Sequence, residues 1–190
     1  MLVQHSASEH HSMKTPQWIL IVAGCVYAVV LVATAWFTRA NHRRIAGALL
    51  GGIAVAIVGI GIERLAYTFG WWRYPWLDTP YGPPLIYPVA VFMFAAIALV
   101  GWRITRRFGS RGQMVFLVVL AIGGTLRDYF WGGRRPDLIV FAPGIGTMLV
   151  DAACWVGLAI MAQAVMRWVA GSVNDPFVRR PREPGPSHHE

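Results

Sequence analysis

Five apolar runs, each near the length needed to cross a bilayer, are separated by short clusters of arginine. The runs cover roughly residues 18–37, 45–67, 85–102, 114–125 with an extension to 129, and 144–169. A helix needs about 20 mainly apolar residues to span hydrocarbon. Backbone polar groups find no water there, so the chain must satisfy them internally. Segments of this length do so as helices. The expectation is an all-α, polytopic membrane helix bundle of about five transmembrane helices over residues 16–171. Residues 1–15 and the Pro/Arg-rich stretch 172–190 read as disordered tails, the second one cytoplasmic. Hydrophobic residues make up 56% of the chain and charged residues 14%, against about 25% charge in a soluble domain. Mean hydropathy is +0.48. Such a chain has too little polar surface for water and too much apolar surface for disorder. Two cysteines are too few for a disulfide scaffold.

The charge count is 17 basic to 9 acidic residues, and Lys14 is the lone lysine. Eleven of the basic residues fall in alternate connections: Arg39, Arg43 and Arg44; Arg103, Arg106, Arg107 and Arg111; Arg167, Arg179, Arg180 and Arg182. Five fall on the other side: Lys14, Arg73, Arg127, Arg134 and Arg135. Positive residues favour the cytoplasmic side. The chain then sits as a multi-pass protein of the cell membrane, N-terminus outside and C-terminus cytoplasmic. The first run is long and weakly flanked by charge, so it reads as a span and not a cleaved leader. Arginines set between apolar runs do not form the basic soluble module that nucleic acid requires, so no nucleic-acid partner is expected.

The runs contain no histidine, which disfavours a metal centre within the membrane. Phosphate-binding, dinucleotide-binding and nucleophile-elbow motifs are absent. No metal and no cofactor are therefore expected. Cys25 and Cys154 lie inside runs and read as buried thiols. Gly47-xxx-Gly51 allows close helix association. Within or between chains, it leaves open a homo-oligomer or a partner membrane subunit.

Ionisable groups are costly in a bilayer, so each one inside a run is a functional candidate. Glu63, Asp128 and Asp151 are the acidic ones. Gly52, Ala56 and Gly59 precede Glu63 on one helical face, and Tyr67 follows one turn later. Small residues on that face let a neighbouring helix approach, which turns Glu63 into the bundle. Thr147 and Trp155 flank Asp151 at four-residue spacing. All three carboxylates fall in the outer half of the bundle. Each has a structural alternative. Glu63 could pair with Arg64, Arg73 or Arg127, and Asp128 stands beside Arg127. The segment 70–84 is dense in aromatics and prolines. It reads either as an interfacial belt or as a stiff lid over a lipophilic pocket. Residues 138–142 form a further apolar piece before Pro143, expected at the interface.

Two stretches carry a family resemblance. The first holds Glu63, Gly70, Tyr74-Pro75, Pro84 and Tyr87-Pro88. The second holds Tyr129-Phe130, Pro143-Gly144-Ile145, Asp151 and Cys154. Together, over roughly residues 60–155, they resemble the C-terminal half of the AveC-like (avermectin-type) spirocyclases. These bacterial membrane proteins close spiroketals in polyketide natural products. Members of that family are longer, and their pattern has Asn at the position of Asp151. Carotenoid hydratases and small membrane terpene cyclases are similar in placing acidic residues in spans.

The resemblance implies a cofactor-independent cyclase or hydro-lyase in natural-product biosynthesis. Its substrate would be a lipophilic polyketide or isoprenoid. Glu63 would act as acid and Asp151 as base, with Asp128 able to replace either. Tyr67, Trp71, Trp72, Tyr74, Tyr87 and Trp155 would contact the substrate. The alternative is a small-molecule transporter or an accessory membrane subunit.

Overall fold

The computed structural model describes residues 14–171. The expected tails lie outside the described residues, except that Lys14 already opens the first helix. Helix α1 (Lys14–Thr38) carries Pro16 in its first turn, where a missing N–H costs nothing. It ends where Arg39 turns left-handed (φ 52°) and the Ala40 N–H donates to the Ala35 carbonyl at 3.0 Å. The Asn41 side chain then accepts from the Arg44 N–H at 3.0 Å and caps helix α2 (His42–Phe69). Gly70, at φ 67°, closes α2, with the Trp71 N–H donating to the Ala66 carbonyl at 2.9 Å.

The third helix, α3 (Ile86–Arg134), is 49 residues long. Straight, it would reach about 73 Å, more than twice the hydrocarbon thickness. It is not straight. Gly109 has φ 64° and ψ −155°, a conformation open to glycine. The chain folds back there, so the Thr105 hydroxyl meets Gln113 Oε1 at 3.4 Å and Gly101 lies beside Phe116. Residues 86–108 and 110–134 are therefore two antiparallel segments. Helix α4 is Ile145–Ala170. Four described helices are long and apolar enough to cross a membrane, and one of them folds into a hairpin. The five apolar runs of the sequence are thus five helical segments of one bundle.

Helix α2 is central and packs on both α3 and α4, whereas α1 packs on α3 alone among the larger contacts. A Cβ added at Gly51 would strike the backbone of Ala162, and one at Gly52 the backbone of Val91. Gly47 approaches the Met166 backbone less tightly, with 3.0 Å left for a Cβ. The Gly47-xxx-Gly51 pair is thus used within the chain, against α4. The core holds Ala48, Val55, Phe94, Ala98, Leu99, Trp155 and Ala162. Large apolar side chains such as Val29, Val32, Trp36, Val115, Leu149 and Trp168 face outward, as lipid-facing positions do.

Residues 138–142 do more than rest at an interface. Strand β1 (Trp72–Arg73) pairs antiparallel with β2 (Val140–Phe141), with Trp72 opposite Phe141. The Trp76 indole N–H donates to the Leu138 carbonyl at 3.0 Å. Cys25 is exposed on α1, which corrects the expectation of a buried thiol, and Cys154 is half-buried.

At the opposite end, arginines tie helices together. Arg43 Nε donates to the Val169 carbonyl at 2.8 Å. Arg44 lies 4.1 Å over the Trp102 ring, and Arg103 donates to the Thr38 carbonyl at 3.4 Å. The described members of the arginine-rich connections therefore share one end of the bundle.

The close contacts of α2 predict an asymmetry among its glycines. Gly51→Val forces α2 and α4 apart and should cost about 1–3 kcal/mol. Gly61→Val, where a Cβ meets nothing within 4 Å, should change stability by less than a third of that. Thermal unfolding of the detergent-solubilised variants checks this difference.

Candidate functional site

Beyond Gly52 the helices part. Ala56, Gly59 and Glu63 of α2 face a cavity of about 200 Å³, whose wall also includes both arms of α3, α4 and the two strands. A Cβ at Gly59 would meet nothing within 4 Å, so this glycine leaves room. Glu63, Asp128 and Asp151 all line this one cavity. They come from α2, the second arm of α3, and α4, which the sequence could not place together.

Each carboxylate is held differently. Glu63 accepts two hydrogen bonds, from the Trp72 indole N–H at 2.9 Å and the Tyr74 hydroxyl at 2.9 Å. Both donors come from the loop after α2. Strand pairing fixes Trp72 and the cavity wall fixes Tyr74. Burial and the neighbouring Glu63 push the Tyr74 phenol well above its ordinary range, which keeps it a donor. No ion pair joins Glu63 to Arg64, Arg73 or Arg127 among the described residues. The pairing alternatives raised from sequence are thereby set aside.

Asp128 is the paired one. Arg127 Nη2 donates to Asp128 Oδ1 at 2.5 Å and Nε to the same oxygen at 2.9 Å. The Trp155 indole N–H donates to Oδ2 at 2.9 Å. Arg127 also donates to the Tyr27 hydroxyl of α1 at 2.9 Å and stacks 4.8 Å over the Trp155 ring. Gly124 lies directly beneath that ring, where any side chain would collide with it. Asp128 therefore has its charge and its oxygens satisfied.

Asp151 has neither. It is 6% exposed, and its Oδ2 finds no hydrogen-bond partner among the described residues. The Tyr87 hydroxyl is likewise buried and unclaimed. A buried carboxylate oxygen with no donor is costly unless it holds a proton or meets a ligand.

Of the aromatic residues expected at the site, Trp72, Tyr74, Tyr87 and Trp155 line the cavity. Tyr67 does not. It is 49% exposed and faces a second, outer recess together with Arg73, Asp78 and Pro143. Trp71 stacks on Phe69 at 5.1 Å, away from the carboxylates. For Trp71 the backbone reason is the left-handed turn at Gly70 and the strand that follows, which send alternate side chains to opposite faces. Trp72, Tyr74 and Phe141 border both the cavity and the outer recess and so form the partition between them. The segment 70–84 thus reaches into the bundle and is more than a belt. Phe94, Phe141 and Cys154 also line the cavity. Sequence reasoning missed the first two, and nothing in their spacing marks them. It also missed Tyr27, an ordinary interfacial aromatic until Arg127 meets it.

The fold and site together define a polytopic helical membrane bundle with a carboxylate-lined internal cavity. No family model, curated protein or solved structure matches the chain.

The Arg127–Asp128 pair supports a stability prediction. Arg127→Met alone leaves an uncompensated carboxylate and should destabilise the bundle by about 3 kcal/mol. Adding Asp128→Leu should recover more than half of that loss. Thermal unfolding of the single and double variants, measured side by side, tests the coupling.

Proposed function

We propose that the chain is a membrane-embedded, cofactor-independent enzyme of the cyclase or hydratase type. It acts by acid–base chemistry on a lipophilic polyketide or isoprenoid. One observation carries this assignment: two carboxyl groups without counter-ions, Glu63 and Asp151, line a single small, largely apolar cavity. General acid–base catalysis needs such a pair within reach of one substrate.

Their hydrogen bonds support distinct roles. Glu63 presents both oxygens as acceptors to two fixed donors, as a proton acceptor would. Asp151 has an oxygen without any donor, as a group carrying its own proton would. Asp151 is therefore assigned as acid and Glu63 as base, the reverse of the order first expected. Asp128, held by Arg127 and Trp155, supports the wall instead of replacing either. In this scheme Asp151 protonates an alkene or carbonyl, a substrate hydroxyl or a water adds to the cationic carbon, and Glu63 removes the proton released by the nucleophile. The Tyr87 hydroxyl is free to hold a substrate oxygen. Apolar walls keep stray water from the intermediate. The resemblance to the AveC-like spirocyclases favours spiroketal closure as the cyclisation, in which the first addition gives a hemiketal, its protonated hydroxyl leaves as water, and a second substrate hydroxyl adds and gives up its proton.

The arginine-rich end is assigned to the cytoplasm. The outer recess and the cavity then open on the extracytoplasmic side, and both the N-terminus and the loop 70–84 face out. Single cysteines replacing Asp78 or Arg39, in a background lacking Cys25 and Cys154, report this orientation. An impermeant maleimide should label position 78 in intact cells and position 39 only after permeabilisation. The opposite pattern inverts the topology.

The activity is tested by mass spectrometry of lipid-soluble metabolites from a deletion strain complemented with wild type, Asp151→Asn or Glu63→Gln. Each variant should lower product at least about 100-fold, the usual contribution of a positioned acid or base. Membrane abundance should stay unchanged. One precursor should accumulate, related to the product by isomerisation or by loss or gain of water. Full complementation by both variants, with unchanged profiles, would overturn the enzyme assignment in favour of transport or an accessory role.

A further inference from the structure

We propose that the acidic cavity binds a lipophilic organic cation, an amine in its ammonium form or a quaternary ammonium. The inference stands on charge, burial and ring placement, and does not depend on turnover.

Four ionisable groups of strong acid or base type line the cavity: Glu63, Asp128, Asp151 and Arg127. Arg127 is committed to Asp128. Glu63 and Asp151 are left with no cation among the described residues. Asp151, 6% exposed, lines this space and carries an unpartnered Oδ2. The remaining wall is apolar and aromatic, with Trp72, Tyr87, Phe94 and Phe141 around the acids. Ring faces attract a desolvated cation, and a carboxylate completes its neutralisation.

The alternatives fit less well. An anion would meet the Glu63 carboxylate and oppose ionisation of Asp151, whereas a cation can take the place of the Asp151 proton. Among the described residues no group of three His, Cys, Asp or Glu is placed to hold a metal ion, so the carboxylates are spread around the wall. A cation that spreads its charge over methyl groups suits such a wall better than one needing tight oxygen coordination. The space, about 200 Å³, suits a compact head such as trimethylammonium. The same chain already places cations on rings, with Arg44 over Trp102 at 4.1 Å and, at the cavity wall, Arg127 over Trp155 at 4.8 Å.

The test uses the full chain in neutral-lipid nanodiscs, with empty nanodiscs correcting for partition. The probes are benzyltrimethylammonium, its uncharged isostere neopentylbenzene, and phenylmethanesulfonate of opposite charge. Binding is read from tryptophan fluorescence and from thermal stabilisation. Wild type should prefer the ammonium over the isostere by about tenfold or more and should not bind the sulfonate. Asp151→Asn and Glu63→Gln should each cut that preference at least about threefold. Asp137→Asn, at an exposed pair with Arg135, should not alter it. Equal binding of ammonium and isostere, or an unchanged preference in both cavity variants, overturns the proposal.

A second measurement needs no carboxylate variant to fold. Cys154 lines the cavity, so in a Cys25→Ser background benzyltrimethylammonium should slow its alkylation and neopentylbenzene should not. Alkylation unaffected by the ammonium also overturns the site. Turnover is scored separately. An ammonium preference in a protein without turnover supports this site while removing the enzyme assignment. Intact turnover without the preference does the reverse.

Discussion

The close approach of α2 to its two neighbours is the constraint on which the rest depends. Gly47 and Gly51 let α4 lie on the backbone of α2, and Gly52 does the same for α3. Lipid offers little hydrophobic drive for helices to associate, so contact of this kind has to come from small residues and van der Waals packing. The contact is confined to one half of α2. One turn later the same face carries Ala56, then Gly59, where nothing approaches within 4 Å. Helices pinned at one end and released at the other leave a wedge-shaped space. Glu63 stands at its wide end.

Polar groups divide between the two ends by function. At the glycine-pinned end, arginines cap helix carbonyls and cover Trp102, and Gln113, Gln163 and Arg167 bond one another across helices. These contacts satisfy donors and acceptors that hydrocarbon would leave bare, although Gln163 Nε2 and Arg167 Nε stay unpartnered among the described residues. At the wide end one ion pair is closed and two carboxyl groups are kept out of any pair. Asp128 absorbs Arg127, with Tyr27 and Trp155 completing the shell. Because the lone cation in the cavity wall is spent there, Glu63 and Asp151 remain available for chemistry or for a ligand.

Much of the fold was legible from residue order. The apolar runs located all five helical segments, because length and hydropathy are local properties, but they stopped short of the polar ends of the two arms of α3, which run on to residue 108 and from 110 to 134. Gly70 opened a segment already set apart from the helices, but nothing in the sequence singled out Gly109, whose positive φ turns a 49-residue helix into a hairpin. Glu63 and Asp151 stood out because charge within a span is rare. The short sheet was not legible, since two-residue strands have no periodicity. Tyr67 and Trp71, expected at the site, lie outside the cavity wall. Trp71 follows the end of α2, where Gly70 has changed the direction of the chain, whereas Tyr67 still belongs to α2 but stands half-exposed one turn beyond Glu63.

The sequence by itself determined that this is a helical membrane bundle, roughly where its helical segments lie, and which few ionisable residues it carries into the apolar layer. Those properties follow from local composition and from the bilayer's refusal of unsatisfied backbone. Only the tertiary structure decided that three carboxylates from three segments meet in one cavity, that Arg127 neutralises Asp128 and not Glu63, and that Trp72 and Tyr74 fold back to grip Glu63. These outcomes depend on helix rotation and on which backbones can touch. Both were set by contacts between residues far apart in the chain, such as Gly51 with Ala162 and Gly124 with Trp155.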